Sequence, residues 1–165
     1  MKQEPYLIFK ISGELFAIPV DKIIEVIELE DITPVPETPE YIKGITNFRG
    51  SILAVIDMRK KFNIPKIKKK DDDVMIVLDL MLKNKKVTFG AIVDSVSYVE
   101  EFNFIQITKL PEIGTKFNTT YIDGIVNHEN NYIVLLNLEK IFSVDEITII
   151  NESGLEKKQE TFEKF

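Results

Sequence analysis

The segment YIKGITNFRGSILAVIDMRKKF, beginning at Tyr41, returns as YIDGIVNHENNYIVLLNLEKIF from Tyr121, at a constant offset of 80 residues and without a gap. A repeat of this length constrains the fold strongly, because two similar units must each cover the same apolar faces. Tyr41 falls on Tyr121, Ile42 on Ile122, Gly44 on Gly124, Ile45 on Ile125, Asn47 on Asn127 and Phe62 on Phe142. Leu53, Val55 and Ile56 meet Ile133, Leu135 and Leu136 in the same register. A weaker echo sets AIPVDKIIEVIE from Ala17 over GAIVDSVSYVEE from Gly90, aligning Asp21 with Asp94 and Glu28 with Glu101. The reading is one domain over 1–165 with a first subdomain at 6–68, a second at 72–150 and a polar tail at 151–165.

Within each half the apolar runs are short, rich in Ile, Val and Phe, and bounded by Gly, Pro, Asn and Asp, which predicts strands. They fall at 6–11, 15–19, 24–29, 44–48, 51–56, 74–82, 86–93, 97–101, 122–128 and 131–136. Ser12-Gly13-Glu14 and Lys83-Asn84-Lys85 sit where tight hairpins belong, and helical turns are expected at 58–62 and 138–142. About five short strands per half are too few for an open sheet with both faces covered. Closing each half removes the edges, and packing the two together supplies a core. The fold class is therefore all-β: two small five-stranded β-barrels around a shared core, with short helical turns and a groove between them.

Several function classes are disfavoured at once. There are no cysteines, so disulfides and thiolate metal sites are excluded. A net charge of -6 opposes wholesale attraction to nucleic acid or anionic lipid. The basic run of Lys66, Ile67, Lys68, Lys69 and Lys70 passes straight into Asp71, Asp72 and Asp73, which cancel much of its field. A small-barrel nucleic-acid-binding protein using Lys66 to Lys70 remains the alternative reading. No apolar run reaches the length that spans a bilayer, and the expected location is cytoplasmic, without membrane insertion.

Catalytic patterns are missing: no Gly-rich phosphate loop, no HExxH and no nucleophile elbow. The one histidine, His128, reads as a turn residue. Asp21, Asp57, Asp79 and Asp94 read as strand-end and turn residues, so no metal, cofactor or enzymatic role is expected. What stands out is an asymmetry. The first turn is Asn47-Phe48-Arg49-Gly50 and the second Asn127-His128-Glu129-Asn130. Both supply an Asn and residues that tolerate positive φ. Neither needs an arginine, and on the residues alone Arg49 stays open between a solvated side chain and a recognition fork.

FAIPVDKIIEVIELEDITPVPETP together with YIKGITNFRGSILAVIDMRKKF, and the P-x-x-I-x-G-x-x-N-x-R-G-x-x-x-x-V-x-D pattern from Pro39 to Asp57, resembles the CheW chemotaxis coupling family and the related regulatory domain of the CheA histidine kinase. The resemblance runs from about Tyr6 to Ile149 and implies two SH3-like barrels with no catalytic activity. It implies an adaptor that couples chemoreceptor cytoplasmic hairpin tips to the CheA kinase regulatory domain in a two-component system, recruited to membrane-associated receptor arrays. Carried over by position, Asn47, Arg49 and Gly50 belong to the receptor contact, with Phe48 where Leu is common, and so do Ile23 and Glu25. A receptor helix lying in the groove would meet a wall of Val20, Ile23 and Val93 with Leu7 nearby, each equally open as core filling, while Arg49 and Glu25 form a polar rim. The kinase-docking face stays unassigned.

Overall fold

The computed structural model describes residues 3–29, 31–65, 73–109 and 121–141. Ten strands run in order: β1 Gln3–Ile11, β2 Glu14–Pro19, β3 Ile23–Glu28, β4 Ile42–Phe48, β5 Ser51–Asp57, β6 Val74–Leu82, β7 Lys85–Val93, β8 Ser95–Asn103, β9 Ile122–His128 and β10 Asn131–Leu136. Each matches a strand expected from sequence, with ends shifted by a few residues. The expected helical turn after β5 is a short helix, α1 at Met58–Lys61, and the one after β10 is a 3-10 turn at Leu138–Lys140. Two further 3-10 turns, Val20–Lys22 and Phe104–Gln106, were not expected from the sequence, although Asn103 and Gln106 form a capping box at the second.

Four hairpins turn through two residues that both have positive φ: Ser12 and Gly13, Arg49 and Gly50, Lys83 and Asn84, Glu129 and Asn130. That backbone handedness matches the twist of the flanking strands, so each pair can close tightly. The hairpins then assemble into two five-stranded sheets, β8-β1-β2-β10-β9 and β3-β6-β7-β5-β4. If β6 to β10 are renamed as second copies of β1 to β5, the two orders become the same order. Each sheet thus takes the first hairpin of one repeat and three strands of the other.

The expected subdomain division at 6–68 and 72–150 is corrected by this exchange. β1 and β2 lie with β8, β9 and β10, whereas β3, β4 and β5 lie with β6 and β7. Parallel pairs make the joins, β2 on β10 with Ala17 opposite Leu135, and β5 on β7 with Val55 opposite Gly90. The physical reason lies in the central strands, which are apolar on both faces and need cover on both. A donated hairpin provides it. The stretch 66–72, with its lysine run, and the tail at 151–165 lie outside the described residues.

Strand alternation divides the core into layers. Ile8 on β1 points into one barrel with Phe102, Val126 and Ile133, while Val55 on β5 points into the other with Met75, Val77 and Ile92. The residues on the opposite faces, including Leu7, Phe9, Ile56, Ile76, Leu78 and Val93, form a larger cluster shared by both sheets. Phe16, Phe62 and Tyr121 stack through that layer, with centroids 6.1 Å and then 5.1 Å apart.

The repeated glycine has a steric cause. In both repeats the segment after the third strand returns to close the sheet, through bridges Thr33 to Ile45 and Thr108 to Ile125. A Cβ on Gly44, whose φ is +152°, would lie 2.2 Å from the Thr33 carbonyl oxygen, and one on Gly124 would lie 2.5 Å from the Ile107 side chain. Only glycine admits the returning segment at these distances.

Candidate functional site

The β4–β5 turn brings four of the sequence-predicted residues together. The Asn47 side-chain oxygen accepts a hydrogen bond from the Gly50 amide at 3.0 Å, closing the turn. Phe48 packs partly buried against the core of its barrel. Arg49 folds back over that ring, with its guanidinium carbon 4.9 Å from the centroid. From there it reaches Glu25 on β3, donating from Nη2 to Oε2 at 2.7 Å. The pair stays open to solvent, the side chains being 66% and 39% exposed, so its own contribution to folding is small. A stacked, paired guanidinium is pre-oriented, and that costs a partner less ordering than a free one would. Gly50 has a φ of +79°, a left-handed backbone that glycine adopts freely, and nothing lies within 4 Å of where its side chain would be.

Glu25 is placed by an irregularity in β3, where pairing to β6 slips between Ile23 and Glu25. Ile24 and Val26, on either side of Glu25 in sequence, are exposed. The sequence reading missed these two. Their signal was present in IIEVIE, an apolar strand with no polar face, but such a run also suits a strand buried on both sides.

The groove-wall expectation is corrected for two residues. Leu7 is only 6% exposed and Val93 1%, so both belong to the shared core and present almost no surface. They sit on central strands covered on both faces, which is where their side chains go. Val20 and Ile23 differ, lying partly buried against the edge of that cluster.

The equivalent corner of the other barrel has different chemistry. His128 stands where Phe48 does and Glu129 where Arg49 does. The imidazole Nε2 lies 3.7 Å from Glu100 and 3.8 Å from Glu129, and the ring meets Phe102 edge-on at 5.7 Å. Burial pushes the Tyr98 hydroxyl above its ordinary pKa, and the carboxylates of Glu129 and Glu100 push it further. One tip carries a paired cation and the other a concentration of acid.

Three of the four candidate carboxylates, Asp57, Asp79 and Asp94, are otherwise engaged. Asp57 and Asp94, with Asp73, surround the guanidinium of Arg59, which is 3% exposed. Burial alone would lower the pKa of Arg59, but the Asp73 hydrogen bond and the three negative charges outweigh it and leave the group above its usual value. Asp79 accepts from Thr88 at 3.1 Å and pairs with Lys86 at 3.2 Å, away from that cluster. No group of three potential metal ligands forms among the described residues, and none of their helices is long and apolar enough to cross a membrane.

Fold and site together define an all-β class: two interlocked five-stranded barrels bearing a solvent-exposed Arg–Glu corner. A sequence model for the CheW-like domain matches residues 5–146. The Chemotaxis protein CheW of Klebsiella aerogenes is 31% identical over 148 residues, covering 90% of this chain and 87% of the relative. That of Thermotoga maritima is 31% identical over 149 residues, covering 90% and 93%. The crystal structure of scaffolding protein TtCheW from Thermoanaerobacter tengcongensis superposes with a TM-score of 0.75 at 32% identity, covering 88% of this chain and 92% of that one. The chain belongs to the CheW-like domain family.

Proposed function

We propose that the chain is a non-catalytic chemotaxis adaptor that joins the cytoplasmic helical hairpin tip of a chemoreceptor to the regulatory domain of a CheA histidine kinase. The observation that carries this reading is the Arg49–Glu25 pair, held over Phe48 beside the exposed Ile24 and Val26. It offers a fixed donor fork and a carboxylate at the rim of an apolar strand. A receptor helix would seat aliphatic side chains against Val20, Ile23 and the outer face of β3. Arg49 and Glu25 would set its register, because rim charges give specificity more than affinity. In this reading the adaptor works in the cytoplasm at receptor arrays, where many modest contacts add up by multivalency.

Calorimetric titration with a receptor cytoplasmic fragment tests the assignment. Arg49→Glu and Glu25→Lys are each expected to weaken binding by about 1 kcal/mol or more, as truncating a polar interface group does. Unchanged affinity for both variants would remove the site. Simultaneous capture of a receptor fragment and a CheA regulatory domain by the purified protein tests the adaptor role itself.

A further inference from the structure

The chain passes from one barrel to the other at two equivalent places. β2 leads to β3 through the 3-10 turn Val20–Lys22, and β7 leads to β8 through Asp94, the residue aligned with Asp21. The second crossing is fixed firmly. Asp94 accepts from Arg59 at 2.9 Å and from the Ser12 amide at 2.7 Å, and its own amide donates to the Lys10 carbonyl at 3.0 Å. Val93 beside it is in the core.

The first crossing lacks that burial. No residue of Val20–Lys22 is buried, and Pro19 at its start provides no side-chain cap. At the position aligned with Arg59 stands Glu139, in the 3-10 turn after β10. Its Oε1 accepts from Lys22 Nζ at 2.8 Å, with the two side chains 33% and 32% exposed. The hydrogen bond from Lys22 to Glu139 raises the pKa of the ammonium above its usual value, against the opposing effect of partial burial. Lys22 lies between Val20 and Ile23, the two members of the expected groove wall that do reach the surface.

We infer that Glu139 is a positioning residue for the partner surface: by holding Lys22 it ties the β2–β3 crossover, and with it Val20 and Ile23, to the barrel that carries β10. The inference rests on the adaptor reading above. It assigns to a residue far from the turn signature a share in the shape of the docking surface. One crossover is held by a buried guanidinium, and the other, among the described residues, by a half-shielded ion pair.

The test uses the full chain and a receptor cytoplasmic fragment, with affinities measured by calorimetry at low ionic strength. Glu139→Gln and Lys22→Met are each expected to weaken binding about two- to fivefold, the range of a partly exposed ion pair. The exchanged pair, Lys22→Glu with Glu139→Lys, should restore most of the affinity, and the urea midpoints should stay close to that of the parent. Arg49→Glu serves as the control on the reading beneath. Wild-type affinity for Glu139→Gln while Arg49→Glu binds weakly would overturn the inference and leave the adaptor reading standing. Loss of binding in Lys22→Met that the exchanged pair fails to restore would also overturn it, since Lys22 would then touch the partner directly. Unchanged affinity in both Glu139→Gln and Arg49→Glu would remove the reading along with the inference.

Discussion

The two barrels share a strand order, a hairpin geometry and a glycine, yet their corners differ. One crossover is secured by Arg59 among three aspartates and the other by Lys22 with Glu139. One hairpin tip is Arg49 over Phe48, and the other is His128 and Glu129 beside Glu100. The features common to both copies are those the backbone requires, such as the glycine at 44 and 124. The side chains at turns and tips are not dictated by the fold. There a repeat protein can hold one copy rigid and use the other for contact.

The largest contrast should come from the crossovers. Arg59→Met removes the buried cation shared by Asp57, Asp73 and Asp94 and is expected to cost about 3–5 kcal/mol, as breaking a buried ion network does. Urea denaturation would show this as a large fall in midpoint, and a loss under about 1 kcal/mol would place the lock elsewhere. Next come the glycines. Gly44→Ala meets backbone at 2.2 Å with φ at +152°, whereas a Cβ on Gly124 meets the movable side chain of Ile107 at 2.5 Å and the Thr108 carbonyl oxygen only at 2.9 Å. Gly44→Ala should cost roughly 1–3 kcal/mol from overpacking and more from backbone strain, and Gly124→Ala should cost less. Equal thermal shifts for the two would break the comparison.

Smaller effects belong to the tips. Glu129→Arg installs at the second tip the charge of the first, with Glu100 near it where the first tip has Glu25. It is expected to leave receptor affinity within about 0.5 kcal/mol of the parent, the usual range for a surface change away from an interface. Tighter receptor binding by this variant would show that the second tip also contacts the receptor. Gly50→Asn copies Asn130 into an open space with left-handed backbone, which Asn tolerates. Its folding stability should move least of all, with the midpoint shifting by no more than about 0.5 kcal/mol.

Much of this architecture was legible in the residues. Short runs rich in Ile, Val and Phe between turn residues marked the strands, and the 80-residue offset marked the duplication. The exchange of hairpins was not, because a repeat tells which segments are alike and not which ones pair. Parallel contact of β2 with β10 joins residues more than a hundred positions apart, and no local pattern encodes it. Asn47, Arg49 and Glu25 were recognisable, and the structure places the last two in contact. Leu7 and Val93 were misplaced because an apolar side chain on a strand reads alike whether it lines a groove or fills a core. Glu139 was hidden for another reason: an acid in a helical turn is common, and only the fold brings it to Lys22.

The exchanged hairpins also set a schedule for synthesis. The barrel of β3 to β7 holds all its strands once the chain has emerged to Val93, whereas the other cannot begin to close until β9 and β10 arrive. Until then the hairpin of β1 and β2 is covered on one face by the shared cluster and paired on one side by β8, but β2 presents an open edge, a state prone to pairing with neighbouring chains. The first strands made are among the last to be fully sheltered, and a nascent chain halted before Ile122 would hold one barrel complete and the other as an open edge.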